Sequence, residues 1–200
     1  MTTVAIVSHS GYGHTAEIAR EIAAGAQAAS VTVNALAIEG AGQDFQPLLD
    51  AVTAADAVIF GAPTYMGDVS AAFRAFAEAS SQVWFTQGWK DKLAAGFTNS
   101  LSFSGDKVNA LQSLSVLAAQ HGMIWVGQGE PPPGVPAAER GPDTVNRAGH
   151  TLGLGAQSDN AAPSEINAGE RETARRFGRR VAESAIRWKA GAQAALRDAA

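Results

Sequence analysis

Apolar residues along this chain follow two patterns, and the two alternate. Short, nearly unbroken apolar runs occur at 4–7 ("VAIV"), 57–63 ("AVIFGAP"), 93–100 ("LAAGFTNS") and 123–127 ("MIWVG"), with a looser one at 31–36 ("VTVNAL"). Runs of this length suit parallel strands covered on both faces. Between them, apolar residues return every three or four positions. Ile18, Ile22 and Ala26 predict a helix over 15–28 whose Glu17, Arg20 and Glu21 face away from the sheet. Further helices are predicted at 45–54, 69–80 and 108–121, the last on Leu111, Leu114 and Leu117. A final helix starts near Ser164, with Phe177, Val181, Ala185 and Trp188 as its apolar stripe. Trp125 and Trp188 are expected in the core.

Five strands, each leading toward a helix, predict an α/β three-layer sandwich around a parallel sheet. Right-handed crossovers make 2-1-3-4-5 the economical strand order. No repeat or interdomain linker interrupts the pattern, so residues 1–200 are read as a single domain. The stretch 128–163, with "PPPGVP" and "GLGAQ", is too long for a simple connector. It is expected to be an ordered excursion or a mobile lid before the last helix.

Composition narrows the chemistry. With 200 residues, 46% of them hydrophobic, the chain can build a real core. Its formal net charge of -4 is too mild to argue for nucleic acid or an anionic membrane. The absence of cysteine excludes disulfides and thiolate chemistry. The four histidines, His9, His14, His121 and His150, have no ligand-like spacing, so no metal is expected. No run of about 18 apolar residues and no signal-peptide pattern is present, and a cytoplasmic location is the expectation.

In sheets of this kind ligands bind at the carboxyl ends of the strands. The first such loop is "SHSGYGHT" at 8–15. A Gly-rich turn into a helix offers free backbone N–H groups and the positive end of the helix dipole, which suits a phosphate without any basic side chain. Ser8, Ser10 and Thr15 add hydroxyls. The same stretch, Gly11 to Ala16, also fits the loose dinucleotide fingerprint G-x-G-x-x-G/A, with Glu39 as a possible ribose acid. A P-loop lysine and a G-x-S-x-G elbow are both absent. The second loop, "APTYMGDVS" at 62–70, places Tyr65 and Met66 where they suit a flat ring. The third, "NSLSFSGD" at 99–106, is rich in hydrogen-bonding groups. Together the loops suit a phosphorylated flat heterocycle, with flavin mononucleotide (FMN) the natural candidate.

At these residues the sequence resembles the flavodoxin-like NAD(P)H:quinone oxidoreductases of the tryptophan-repressor-binding-protein type. The resemblance rests on "HSGYGHT", "GAPTYMGDVSAAFRAF", "WFTQGWKDKLAAGFTNS" and "HGM", and it spans roughly Val4 to Gly129. It implies a flavodoxin-like fold and an enzyme that passes two electrons from NADH or NADPH through FMN to a quinone in a ping-pong sequence. A flavodoxin-type electron carrier and an FMN reductase or azoreductase are the alternatives. The resemblance implies that Ser10, Gly11, Tyr12, Gly13, His14 and Thr15 hold the phosphate. It implies that Pro63, Thr64, Tyr65, Met66 and Gly67, with Asn99, Ser100, Leu101, Ser102, Phe103 and Ser104, surround the ring, and that His121 lies beside it. Tyr12 and Trp84 would receive the substrates, Trp84 from across a subunit interface of a homodimer or homotetramer. The chain departs from the family in carrying Tyr65-Met66 where Arg-Phe is usual, in a less glycine-rich third loop, and in its tail beyond Gly129.

Overall fold

The computed structural model describes residues 1–198. Its strands are β1 (Thr3–His9), β2 (Thr32–Ile38), β3 (Ala57–Tyr65), β4 (Asp68–Val69), β5 (Leu93–Ser100), β6 (Ile124–Trp125) and β7 (Leu154–Gln157). Its α-helices are α1 (His14–Gln27), α2 (Gln46–Ala54), α3 (Ala71–Ala79), α4 (Ser81–Phe85), α5 (Lys107–Gln120) and α6 (Ala168–Asp198). The apolar runs at 4–7, 57–63 and 93–100 all lie in central strands, as their continuous hydrophobicity requires.

The fold is a flavodoxin-like α/β sandwich, but its sheet corrects the five-strand expectation. Among the described residues there are seven strands, in the order β2-β1-β3-β5-β6, with β4 and β7 off that path. β4 runs back antiparallel against the end of β3 through a tight turn at Met66 and Gly67, where φ is 49° and 86°. The fifth position of the sheet is shared by two short strands. β6 pairs with the start of β5, Leu93 opposite Ile124, and β7 pairs with its end, from Phe97 opposite Leu154 to Ser100 opposite Gln157. The predicted strand at 123–127 is thus only its first part. The chain leaves the sheet after Trp125 and returns at Leu154, 28 residues of excursion later, to complete the same edge.

That excursion is tied to its surroundings at Asn146. Asn146, 4% exposed, donates from Nδ2 to the carbonyls of Glu130 (3.0 Å) and His150 (3.1 Å), and its own N–H donates to Thr173 Oγ1 on α6 at 2.8 Å. A buried amide that ties three separated segments costs less to keep than to leave unpaired.

Alternation along the central strands sends residues to two cores. Val4, Ile6 and Ile59 face α1 and α6, meeting Ile18, Ile22 and Phe177. Ala5, Val7, Val58 and Phe60 face α2, α3 and α5, meeting Leu49, Phe73, Phe76 and Leu114, with Trp89. α1 and α6 cross so closely that a Cβ at Gly25 would strike the Arg175 carbonyl and one at Gly178 the Ile22 carbonyl.

This contact corrects the expectation for Glu21. The helical period turns it away from the sheet, yet it is 1% exposed because α6 covers that flank. Its carboxylate accepts from Arg175 Nε (2.6 Å), Arg20 Nη2 (2.6 Å) and Arg171 Nη1 (3.1 Å). Glu17 is bound by Arg20 and Arg171 as well. Trp188 is the opposite correction. It is 45% exposed, lying over the surface with its indole N–H on the Asp91 carbonyl at 3.0 Å. Trp125 is half-buried and bonds the Leu152 carbonyl at 2.7 Å. Both indoles bury a ring face and spend their N–H on a loop carbonyl, which suits the rim of a core.

Candidate cofactor site

The turn from β1 into α1 builds the first wall. Gly13 has φ 90° and no side chain caps α1 in the usual position. Instead Ser10 Oγ folds over the helix start and accepts from the N–H of Gly13 (3.1 Å) and Ala16 (3.0 Å). The N–H groups of Gly11, Tyr12, His14 and Thr15 have no protein acceptor among the described residues. Four free donors at a helix start, with the dipole behind them, are chemistry for an anion.

The second wall is the end of β3. Thr98 Oγ1 donates to the Ala62 carbonyl at 2.7 Å, so its contact with Thr64 at 2.7 Å is a bond donated by Thr64. This chain fixes Thr64 at the rim. Tyr65 leans toward the first wall. Its hydroxyl fills the space a Cβ would need at Gly11, and its ring meets Tyr12 edge-on at 6.2 Å and His9 at 6.5 Å. Burial, then the neighbouring Tyr12, raises the Tyr65 phenol above its usual pKa, so it stays protonated at neutral pH. His9 is shifted the other way, desolvation lowering its pKa against the opposing pull of Glu39.

The third wall is the end of β5. Asn99 is 5% exposed, with Nδ2 donating to Ser158 Oγ at 3.4 Å and Oδ1 without any protein partner. A buried acceptor left open in this way calls for a donor from a ligand. The fourth wall went unread in the sequence. Ser158, Asp159, Asn160 and Ala161 follow β7 and close the cleft, and His14 is tied to them. Its Nε2 lies 2.8 Å from the Ala161 carbonyl and therefore carries the proton. Pro163 packs over Gly13 from the same segment. The available signal was "LGAQSDN", a short run that ends in turn formers like the other strand exits, hidden inside a Gly-rich stretch.

These walls enclose a cleft of about 420 Å³. Of the residues expected there, Tyr12, His14, Thr15, Pro63, Thr64, Tyr65, Asn99, Ser100 and Leu101 line it. Ser10, Gly11, Gly13, Met66, Gly67, Ser102, Phe103 and Ser104 shape the same loops without lining it. Phe103 instead stacks under the Arg147 guanidinium, 5.4 Å from its ring centroid, and Met66 projects fully into solvent. Ser8 lies on β1, away from the cleft.

His121 and Trp84 are not in the cleft of this chain. His121 ends α5 just before β6, at the amino ends of the strands. It is 2% exposed, packs against Trp89 with ring centroids 4.4 Å apart and planes tilted by 36°, and contacts Ser80 Oγ at 2.9 Å. Burial lowers its pKa. Trp84 sits near that edge, on α4, packed edge-on against Phe85. The eight residues of β5 separate both from the cleft by roughly 25 Å.

The residues present fit FMN. The first wall offers donors and hydroxyls for a phosphate, Tyr12 and Tyr65 offer rings, and Asn99 offers an acceptor. Among the described residues no lysine or arginine lines the cleft, so an anion there would rely on backbone and hydroxyl groups.

Comparison with known proteins agrees with this architecture. The family described as NADPH-dependent FMN reductase matches residues 1–132. The crystal structure of the flavodoxin, WrbA-like protein from Agrobacterium tumefaciens is similar, at 40% identity and a TM-score of 0.75 over 94% of this chain and 99% of that one. Flavodoxin FldP of Pseudomonas aeruginosa is 40% identical over 183 residues, 91% of this chain and 96% of its own. An NAD(P)H dehydrogenase (quinone) of Azorhizobium caulinodans is 28% identical over 141 residues, 64% of this chain and 71% of its own. Fold and site thus define a flavoprotein of the flavodoxin-like class. The chain belongs to the NADPH-dependent FMN reductase family, an assignment that places it among the oxidoreductases and agrees with FMN as cofactor and NAD(P)H as donor.

Proposed function

We propose that the whole chain is one FMN-dependent unit that moves two electrons from NADH or NADPH to a quinone-like acceptor, the two substrates using the site in turn. The observation that carries this is the set of unpartnered N–H groups opening α1 into a cleft lined, among the described residues, by no lysine or arginine. When bound, FMN supplies the redox chemistry. The chain's own residues position and shield. Gly11 to Thr15 hold the phosphate, Asn99 accepts from the ring system, and Thr64 lines its rim. Tyr12, 79% exposed, is free to cover an arriving nicotinamide. The Ser158–Ala161 segment excludes water from the fourth side.

Trp84 reaches a cleft only from another copy of the chain, so its expected part in the reaction belongs to a homodimer or homotetramer; His121, buried against Trp89 and Ser80, takes no part at the flavin in this reading. A cytoplasmic setting fits this reading; among the described residues no helix is long and apolar enough to cross a membrane. A second reading, an electron carrier, is favoured by the likeness to a protein named flavodoxin.

Anaerobic addition of NADH or NADPH to the FMN-loaded protein separates the two. Rapid bleaching of the flavin absorbance, reversed by a quinone, supports the enzyme; bound flavin that does not bleach favours the carrier. Trp84→Ala is expected to raise the KM for quinone about fivefold, the loss of one aromatic contact, with FMN affinity unchanged. Steady-state kinetics with and without the substitution check this, and unaltered kinetics would leave Trp84 a packing residue.

A further inference from the structure

Lys107 opens α5, and its side chain is wholly buried. Both facts run against ordinary preference. An ammonium at a helix start meets the positive end of the dipole, and a lysine out of water loses its hydration. Three carbonyls offset this. Nζ donates to Ser102 (2.7 Å), Phe103 (2.8 Å) and Ser104 (3.3 Å), which uses all three ammonium protons. Ser100 Oγ adds a bond to the Ser102 carbonyl at 3.0 Å. The chain then turns straight into α5 through Gly105 and Asp106, with φ of 53° and 55°.

Carbonyls drawn inward leave the following peptide N–H groups pointing the other way. From Leu101 to Gly105 these N–H groups have no protein acceptor among the described residues. Leu101, at the head of this row, lines the cleft beside Asn99 and Ser100.

We propose that Lys107 is a positioning residue of the cofactor site: its ammonium gathers the carbonyls of residues 102–104, holds the third wall in its flavin-accepting form, and makes FMN affinity depend on its proton. The inference rests on the FMN reading above. Four ionisable groups face Lys107. Glu170 at the start of α6 and Asp159 in the fourth wall favour its charge; Arg147 opposes it, and Lys107 in turn disfavours charge on His150. Glu170 is 3% exposed, and its Oε1 has no protein partner. Burial lowers Lys107 to about 8 and raises Glu170 to about 7. A neutral amine keeps only two protons for three carbonyls, so the wall loosens as pH rises through that range.

FMN titration by fluorescence quenching between pH 7.5 and 9 tests this. Wild-type affinity is expected to fall about tenfold across the range, the worth of one charge-assisted bond. Lys107→Met, which keeps the length without the charge, should bind at least tenfold more weakly at pH 7.5 and show a flat profile. Glu170→Gln removes a carboxylate that favours the charge, so its profile should break at lower pH than wild type. That shift is expected even if the methionine variant does not fold. A flat wild-type profile, an unmoved break in Glu170→Gln, or wild-type affinity in a folded Lys107→Met overturns the role of Lys107 while leaving the flavin site standing. A folded wild type that takes up no FMN at any pH overturns the flavin reading itself, and the role of Lys107 with it.

Discussion

Ser10→Asp is expected to weaken FMN binding by a hundredfold or more while leaving α1 at least as stable as before. Ser10 Oγ already accepts from the N–H groups of Gly13 and Ala16 at the start of α1. A carboxylate there would take the same bonds and favour the helix dipole by ~0.5 kcal/mol. It would also stand about 5 Å from a phosphate on the neighbouring donors, a repulsion of ~3 kcal/mol at a partly screened site, which corresponds to the hundredfold loss. Fluorescence titration with FMN, alongside thermal unfolding of the flavin-free protein, separates the two effects. Wild-type affinity in the variant would mean that the phosphate lies elsewhere.

Glu21→Ala is expected to produce the largest loss of stability, about 3 kcal/mol, or roughly 10 °C in Tm. Its carboxylate joins Arg20 of α1 to Arg171 and Arg175 of α6, and its removal leaves Glu17 between Arg20 and Arg171 and only the 3.9 Å contact with Glu172 for Arg175. Calorimetry of the variant checks the number. Glu21→Gln should lose less, because it retains acceptor capacity. Acid should reach the same cluster through Glu17, whose carboxyl is held down to about 2 by the Arg20 and Arg171 guanidinium groups, against the ordinary value of 4.5. A depressed folded pKa means that the stabilisation is complete above about pH 4.5 and is lost as pH falls from there toward 2. Unfolding measured across that window should become steadily easier, and Arg171→Met should blunt the dependence.

Much of this was legible in the chain, for a definable reason. β1, β3 and β5 are covered on both faces, so burial writes itself as an unbroken apolar run, and 93–100 was read to the residue. The turn from β1 into α1 was legible because its glycine and hydroxyl residues sit directly between such a run and a helical stripe. β7 was not, because "LGAQ" carries few apolar side chains and owes its strand conformation to pairing with β5 across more than fifty residues. Lys107 hid for a different reason: a lysine at a helix start reads as solvated, and only tertiary structure reveals the carbonyls around it. Glu21 and Trp188 show how far the helical period reaches. It identifies the face toward the sheet but says nothing of a second helix lying across the flank.

The divided edge of the sheet has a consequence for the protein's lifetime. Docking β7 after β6 closes a loop of about 28 residues, at an entropic cost of ~3 kcal/mol. The segment Ser158–Ala161, immediately beyond β7, walls the candidate cleft, so the docking of β7 sets that wall in place. A ligand that binds only the closed form holds it closed in proportion to its free concentration. Amide exchange at Leu154–Gln157 should therefore slow with added FMN. Inside a cell, where proteases take their share of opened molecules, the abundance of this protein is expected to follow the local supply of flavin.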